Sequence, residues 1–298
     1  MEEKQKSTIT LLTIILGVAS WYSLTGKLAN SESMSKPVAE KYPLSAEIRV
    51  VETDLPYRKE SRDGKLEKIV HVKDIDFSKN FTIKTERYNL IKEDDWLPSR
   101  FIGHLVSLPR RFIFWDWQVS QGCDEKRTRA ALAMLEQKTE LRNITVRLNH
   151  NEALYDMCKM FTDEKLIKRN PFLARATLGI ISSVKDELLA ELLRGDYYNP
   201  LTQTAVVYSN IESVGAHEMG HHQDFQSYKS DWAYTLSRIL PPVMLYQEWK
   251  ASTYARSIMS KDDDWQFKRY LIPAFGTYCL AVLGMLKRAF SREENEDS

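Results

Sequence analysis

Three of the six histidines in this 298-residue chain fall within six residues, His217-Glu218-Met219-Gly220-His221-His222. His217, Glu218 and His221 spell H-E-x-x-H. Residues four apart share one face of an α-helix, so His217 and His221 can present two imidazoles to a single ion, and Zn2+ is the ion this spacing suits. Glu218 lies about 100° further round the helix. From there it can act as general base toward a water on that ion. The motif therefore demands a helix, and the flanking sequence offers one. Ser209 and Glu212 read as an S-x-x-E capping box ahead of it. Thr204-Ala205-Val206-Val207-Tyr208 reads as a preceding strand, whose edge can pair with an extended peptide.

A catalytic zinc needs a third protein ligand and one open position. An H-x-x-G-x-x-H continuation is excluded, because Asp224 and Ser227 occupy the places of its Gly and last His. Glu248 is the better candidate. It lies in Gln247-Glu248-Trp249-Lys250-Ala251-Ser252, on a helix expected to begin at Pro241-Pro242. Asp224 follows His217 by seven residues and His221 by three, so it shares their face, but a ligand there would sit about 10 Å along the axis from His217. Its expected role is to hold a ligating imidazole from behind. His222 points away from His217 and is expected to support the site or the fold. Tyr208, Tyr246 and Tyr254 are all candidates to stabilise an oxyanion, and sequence does not choose between them. His71, His104 and His150 stand alone and read as ordinary histidines.

With Glu248 in place, the sequence resembles the gluzincin metallopeptidases, whose third ligand is a Glu on a later helix in a pattern such as E-x-x-A-D. This chain has E-x-x-A-S, so Ser252 stands where that family often has an Asp orienting a zinc-bound His. A closer likeness covers roughly residues 100–285. The segment Gly195-Asp196-Tyr197-Tyr198-Asn199-Pro200-Leu201-Thr202-Gln203-Thr204 ahead of the motif is similar to one in a group of uncharacterised bacterial membrane-associated proteins with an H-E-x-G-H motif. Leu108-Pro109-Arg110-Arg111 and Trp115-Asp116 match a further segment of that group. The resemblance implies a zincin-like fold.

Residues 7–26 carry no charge and include Ile9, Leu11, Leu12, Ile14, Ile15 and Leu16. Twenty helical residues span about 30 Å, the thickness of a bilayer core. Lys4 and Lys6 precede the run, and Trp21 and Tyr22 lie near its far end, where aromatic residues favour the membrane interface. A single-pass anchor with an extracytoplasmic catalytic domain is the first expectation. Cleavage after Gly17-Val18-Ala19, releasing a secreted or periplasmic protein, is the alternative. A second uncharged run, 270–286, contains Pro273, Gly276 and Gly284 and suits a buried or interfacial helix as well as a span.

Residues 27–43 read as a linker. From 46 to 88 short alternating segments surround Arg62-Asp63-Gly64-Lys65, a hairpin signal, and predict a small antiparallel β unit. A strand is expected over Arg111-Phe112-Ile113-Phe114-Trp115 and another over Ile144-Thr145-Val146-Arg147-Leu148. Helices are expected over 126–138 and from Asn170-Pro171 to about Leu193. The expected class is α+β, zincin-like and mostly helical, with a small antiparallel β unit and an N-terminal membrane helix. Its divisions are an anchor or signal segment at 1–26, a linker and β unit at 27–95, a metallopeptidase domain at 96–290 and a disordered tail at 291–298.

Lys and Arg total 42 against 41 Asp and Glu, a net charge of +1, which argues against a nucleic-acid partner. The three cysteines are far apart and form no C-x-x-C pair, so neither a disulfide framework nor a Cys-based zinc site is possible. The expected function is a membrane-associated zinc peptidase acting on a peptide or protein. The alternatives are a catalytically silent zincin-like scaffold with a structural metal site, and a non-peptidase hydrolase using the same zinc chemistry.

Overall fold

The computed structural model describes residues 47–51, 68–71, 75–93, 97–138, 140–228, 230–259, 264–280 and 282–284. The uncharged run 7–26, the linker 27–43, the Asp63-Gly64 turn and the tail 291–298 lie outside them. Strands β1 (Glu47–Val51), β2 (Lys68–His71), β3 (Phe81–Lys84) and β4 (Tyr88–Lys92) come first, followed by helices α1 (Leu97–Phe114) and α2 (Glu125–Gln137). Strand β5 (Ile144–Leu148), α3 (Ala153–Thr162), α4 (Glu164–Arg169) and α5 (Ile180–Leu193) follow, then β6 (Tyr197–Asn199) and β7 (Thr204–Val207). The chain continues through α6 (Glu212–Phe225), α7 (Asp231–Ser237) and α8 (Pro241–Ile258). The described residues close with a π-helical turn, Phe267–Leu271, that runs on as helix over 272–280, and with helix again at 282–284.

The class is α+β, mostly helical, around one mixed sheet in the order β2-β1-β3-β4-β5-β7-β6. The antiparallel unit expected from 46 to 88 does not stand apart. β1, β2, β3 and β4 pair antiparallel, but β4 then pairs in parallel with β5, and β5 in parallel with β7. Parallel pairing needs long crossovers, and the helical segments between β4 and β5 and between β5 and β7 supply them. Leu90, Val146 and Ala205 lie in one register row, all fully buried. Ala216 and Met219 of α6 and Ala255 of α8 pack onto the same face of the sheet.

The strand expected over 111–115 is helix. Residues 111–114 close α1, with Pro109 inside it, and Arg111 turns inward to donate to the Val119 and Ser120 carbonyls at 3.0 Å each. Gly103, Ser107 and Arg111 recur every four residues on the buried side of that helix, and this period overrides the local β preference of Phe112-Ile113-Phe114. Among the described residues no helix is long and apolar enough to cross a membrane.

Candidate metal centre

Helix α6 carries the H-E-x-x-H motif, but its start differs from the capping box read in the sequence. Ile211 is the residue before the first turn and gives no side-chain cap. Ser209 is used elsewhere: its hydroxyl donates to Asp196 and accepts from the Ser120 N–H at 3.2 Å. Gln266 does the capping from a distant segment, accepting the Ser213 N–H at 3.1 Å, and Glu212 in the first turn suits the helix dipole.

Helix α8 begins with its double proline at the first two positions, as expected. It crosses α6 at very short range. A Cβ built on Gly220 would lie 2.5 Å from the Ala251 carbonyl oxygen and 2.9 Å from its Cα. Backbone cannot yield that much, so position 220 must be glycine and position 251 small. This approach sets the i, i+4 pair His217/His221 against the i, i+4 pair Glu248/Ser252.

The result is a closed cluster. One ligand-type atom from each of His217, His221 and Glu248 lies within 4.8 Å of the other two. Glu248 Oε2 is 3.2 Å from His217 Nε2 and 3.4 Å from His221 Nε2. Ligands about 2.0–2.2 Å from a tetrahedral zinc stand about 3.3–3.5 Å apart, so these separations fit. The far nitrogens are also occupied. His217 Nδ1 is 3.2 Å from Ser252 Oγ, and His221 Nδ1 is 3.3 Å from the Tyr234 hydroxyl. Both rings therefore aim Nε2 at one point. Two imidazoles and one carboxylate form the donor set of a catalytic zinc.

Arg238 contacts the other Glu248 oxygen, Oε1, and its Nη1 is 3.3 Å from His221 Nδ1. Burial opposes the Glu248 charge, but His221, the hydrogen bonds from both imidazoles and the Arg238 charge outweigh it and hold the carboxyl well below the usual range. Burial lowers His221 to about 4, against the pull of Glu248. A neutral imidazole has the free lone pair a metal requires. Glu218 is buried beside the cluster. Loss of solvent, then the charges of Asp196 and Glu248, push its carboxyl well above the ordinary value.

The remaining sequence candidates have clear places. Ser252 supports His217. Asp224 is buried and ion-paired with Lys250 of α8, so it ties the two helices together from outside the cluster. His222 is structural: its Nε2 bonds the Arg142 carbonyl at 2.7 Å and its Nδ1 the Tyr198 hydroxyl at 2.8 Å. Burial lowers it to about 4, so the neutral ring donates from Nε2 and accepts at Nδ1. Tyr208 packs its ring with Ala190 and Val206, under the Arg194 guanidinium. Tyr246 is exposed beside Lys250, and Tyr254 donates to Glu140 at 3.1 Å.

Two residues near the centre carry no sequence signal. Tyr234 and Arg238 lie in and just after α7, and only the way that helix folds back brings them to His221 and Glu248. Comparison of the chain with protein-family models, curated proteins and solved structures finds no match.

Proposed function

We propose that this chain is a membrane-associated zinc metallopeptidase, with His217, His221 and Glu248 as ligands and Glu218 as general base. The observation that carries the reading is the three-residue cluster itself: donor atoms from two helices converge within 4.8 Å, with both imidazoles held from behind. Zn2+ at that point would supply Lewis acidity, which polarises a peptide carbonyl and makes water acidic enough to attack it. Glu218, one residue after His217, takes the proton from the attacking water and returns it to the leaving amine. Arg238 fixes one Glu248 oxygen so that the other faces the imidazoles. The uncharged run 7–26 would tether the domain to the membrane, with the site outside the cytoplasm.

The test is elemental analysis of the purified full chain, paired with Glu218→Gln. About one zinc per chain is expected, retained in the variant, while peptide hydrolysis falls by roughly 10²- to 10⁴-fold. Absence of metal would remove the reading. Metal with no hydrolysis of any peptide by the parent, and no change in Glu218→Gln, would leave a structural site instead.

A further inference from the structure

Helix α2 carries a cation on its buried row. Arg127, Ala131 and Leu135 recur every four residues and all are buried, Arg127 being 3% exposed. Ala131 and Leu135 belong to the main core. Arg127 lies in the first turn of α2, which Asp124 caps. Its guanidinium lies against Gly215 of α6. A Cβ built on Gly215 would overlap Arg127 Nη2 and stand 3.1 Å from its Cζ, with Val207 Cγ1 at 3.5 Å. The Cα–Cβ bond tilts toward the start of a helix, so a group at Gly215 covers the first turn of α6, which begins at Glu212. The two helix starts are fastened side by side. Asn210 Nδ2 donates to Asp124 Oδ2 at 2.9 Å, and Asn210 Oδ1 accepts the Asp124 N–H at 3.2 Å. Each helix start carries partial positive charge, and Arg127 adds a full one.

No described residue balances that charge. Arg127 Nε, Nη1 and Nη2 are all buried, and none has a hydrogen-bond partner. The carboxylates at these helix starts are turned elsewhere. Asp124 Oδ1 accepts the Arg127 backbone N–H at 2.7 Å and Oδ2 the Asn210 amide. Glu125 Oε1 takes Arg129 at 2.8 Å. Glu212, partly exposed in the first turn of α6, does not bond the guanidinium either. Cys123, just ahead of Asp124, is not the missing anion. Burial pushes its thiol up to about 12 in spite of the Arg127 charge, and its S–H turns to the Val207 and Ser209 carbonyls at 3.5 and 3.6 Å. A guanidinium offers donors on every nitrogen, and a buried one without acceptor or counter-charge is among the costliest groups a fold can contain. A water would accept some of those bonds and leave the charge in place.

We propose that Arg127, with the paired first turns of α2 and α6, binds a small inorganic monoanion, of which chloride is the type. The guanidinium is enclosed and glycine faces it, so the site suits a single atom or little more, not an anion carried on a larger molecule. Occupied, it completes the first turn of α6, two residues ahead of His217. It is separate from the His217/His221/Glu248 cluster and independent of what that cluster does.

The test melts the full chain at constant ionic strength while chloride is replaced stepwise by gluconate, which is too large to enter. A chelator is present throughout, so that halide on a bound metal contributes nothing. The thermal midpoint of the parent should rise with the logarithm of chloride, by about 3–6 °C at tenfold the dissociation constant. Arg127→Met keeps most of the side chain's length without its charge and should lose that dependence. A parent indifferent to chloride would overturn the proposal and leave a buried charge with no ligand. The same dependence in Arg127→Met would also overturn it, because the ion would then sit elsewhere. Should the variant fail to fold, crystals of the parent grown in bromide decide the matter. An anomalous peak against the Arg127 guanidinium supports the site, and no such peak there, whether or not a water stands in its place, overturns it. Neither measurement reads zinc, so failure here leaves the metallopeptidase reading where it stands.

Discussion

Strand β5 separates two buried ionic clusters of opposite design. On one face of the sheet Val146 joins the core that carries α6 and, with it, the His217/His221/Glu248 cluster. On the other face Arg147, 1% exposed, reaches Glu152 Oε2 at 2.6 Å and Asp156 Oδ1 at 2.8 Å, while Thr204 donates to Asp156 at 3.3 Å. Burial works against the Arg147 charge, but the two carboxylates hold its pKa above the ordinary value. That cluster contains its own cation. In the His217/His221/Glu248 cluster the donor atoms converge on one point, and the chain's cation, Arg238, stands to one side on Oε1. Without an ion the two imidazoles donate to the carboxylate; with one, the same three donor atoms would turn to it. The contrast is between an ion pair that completes the fold and a convergence of donor atoms that could accept an ion from outside.

The sharpest break in that comparison is Glu248→Ala. If the convergence is a metal site, zinc affinity should fall well beyond the 10- to 100-fold typical of losing a supporting partner. Titration against a competing chelator measures it, and unchanged affinity would mean that the carboxylate is no ligand. Arg147→Ala should do the opposite. It strands two carboxylates in the interior and should cost about 3–5 kcal/mol of stability, seen as a lower urea midpoint, with zinc affinity per folded molecule unchanged. A large affinity loss there would show that the two faces are coupled. Gly220→Ala acts between these cases. Its methyl group would meet the Ala251 backbone. About 1–3 kcal/mol of overpacking should therefore appear as lost stability and weaker zinc binding together, and a variant that lost neither would contradict the close crossing of α6 and α8.

What was legible in the sequence follows from the range of the interactions involved. Ile144–Leu148 and Thr204–Val207 were readable because their residues make strands by local preference. The convergence of His217, His221 and Glu248 was readable because i, i+4 spacing is local and the double proline marks where α8 begins. The Arg111–Trp115 segment was misread because its partners are the distant backbone of residues 119 and 120, not its neighbours. The S-x-x-E box failed for the same reason: Asp196, thirteen residues back, takes the Ser209 hydroxyl. Nothing local shows that β4 and β5 pair, so the front strands read as a separate unit. Tyr234 and Arg238 were invisible because no spacing rule links them to His221 and Glu248.

The smallest effects test the supports behind the two imidazoles, and here the structure predicts an order. With Nε2 facing a metal, each ring must carry its proton on Nδ1 and donate it. His217 Nδ1 has Ser252 Oγ as acceptor, and His221 Nδ1 has the Tyr234 hydroxyl. The environments differ in one respect. Arg238 Nη1 also lies 3.3 Å from His221 Nδ1, and a guanidinium can only donate. In Tyr234→Phe the His221 N–H would face another N–H in a buried site with its acceptor gone, an arrangement that costs more than an absent bond. Ser252→Ala removes an acceptor without leaving an opposing donor behind. Tyr234→Phe should therefore weaken zinc binding toward the upper end of the 10- to 100-fold range, and Ser252→Ala by about 10-fold. If Ser252→Ala proves the costlier of the two, Arg238 does not stay against His221 once the metal is bound, and its place at the centre must be redrawn.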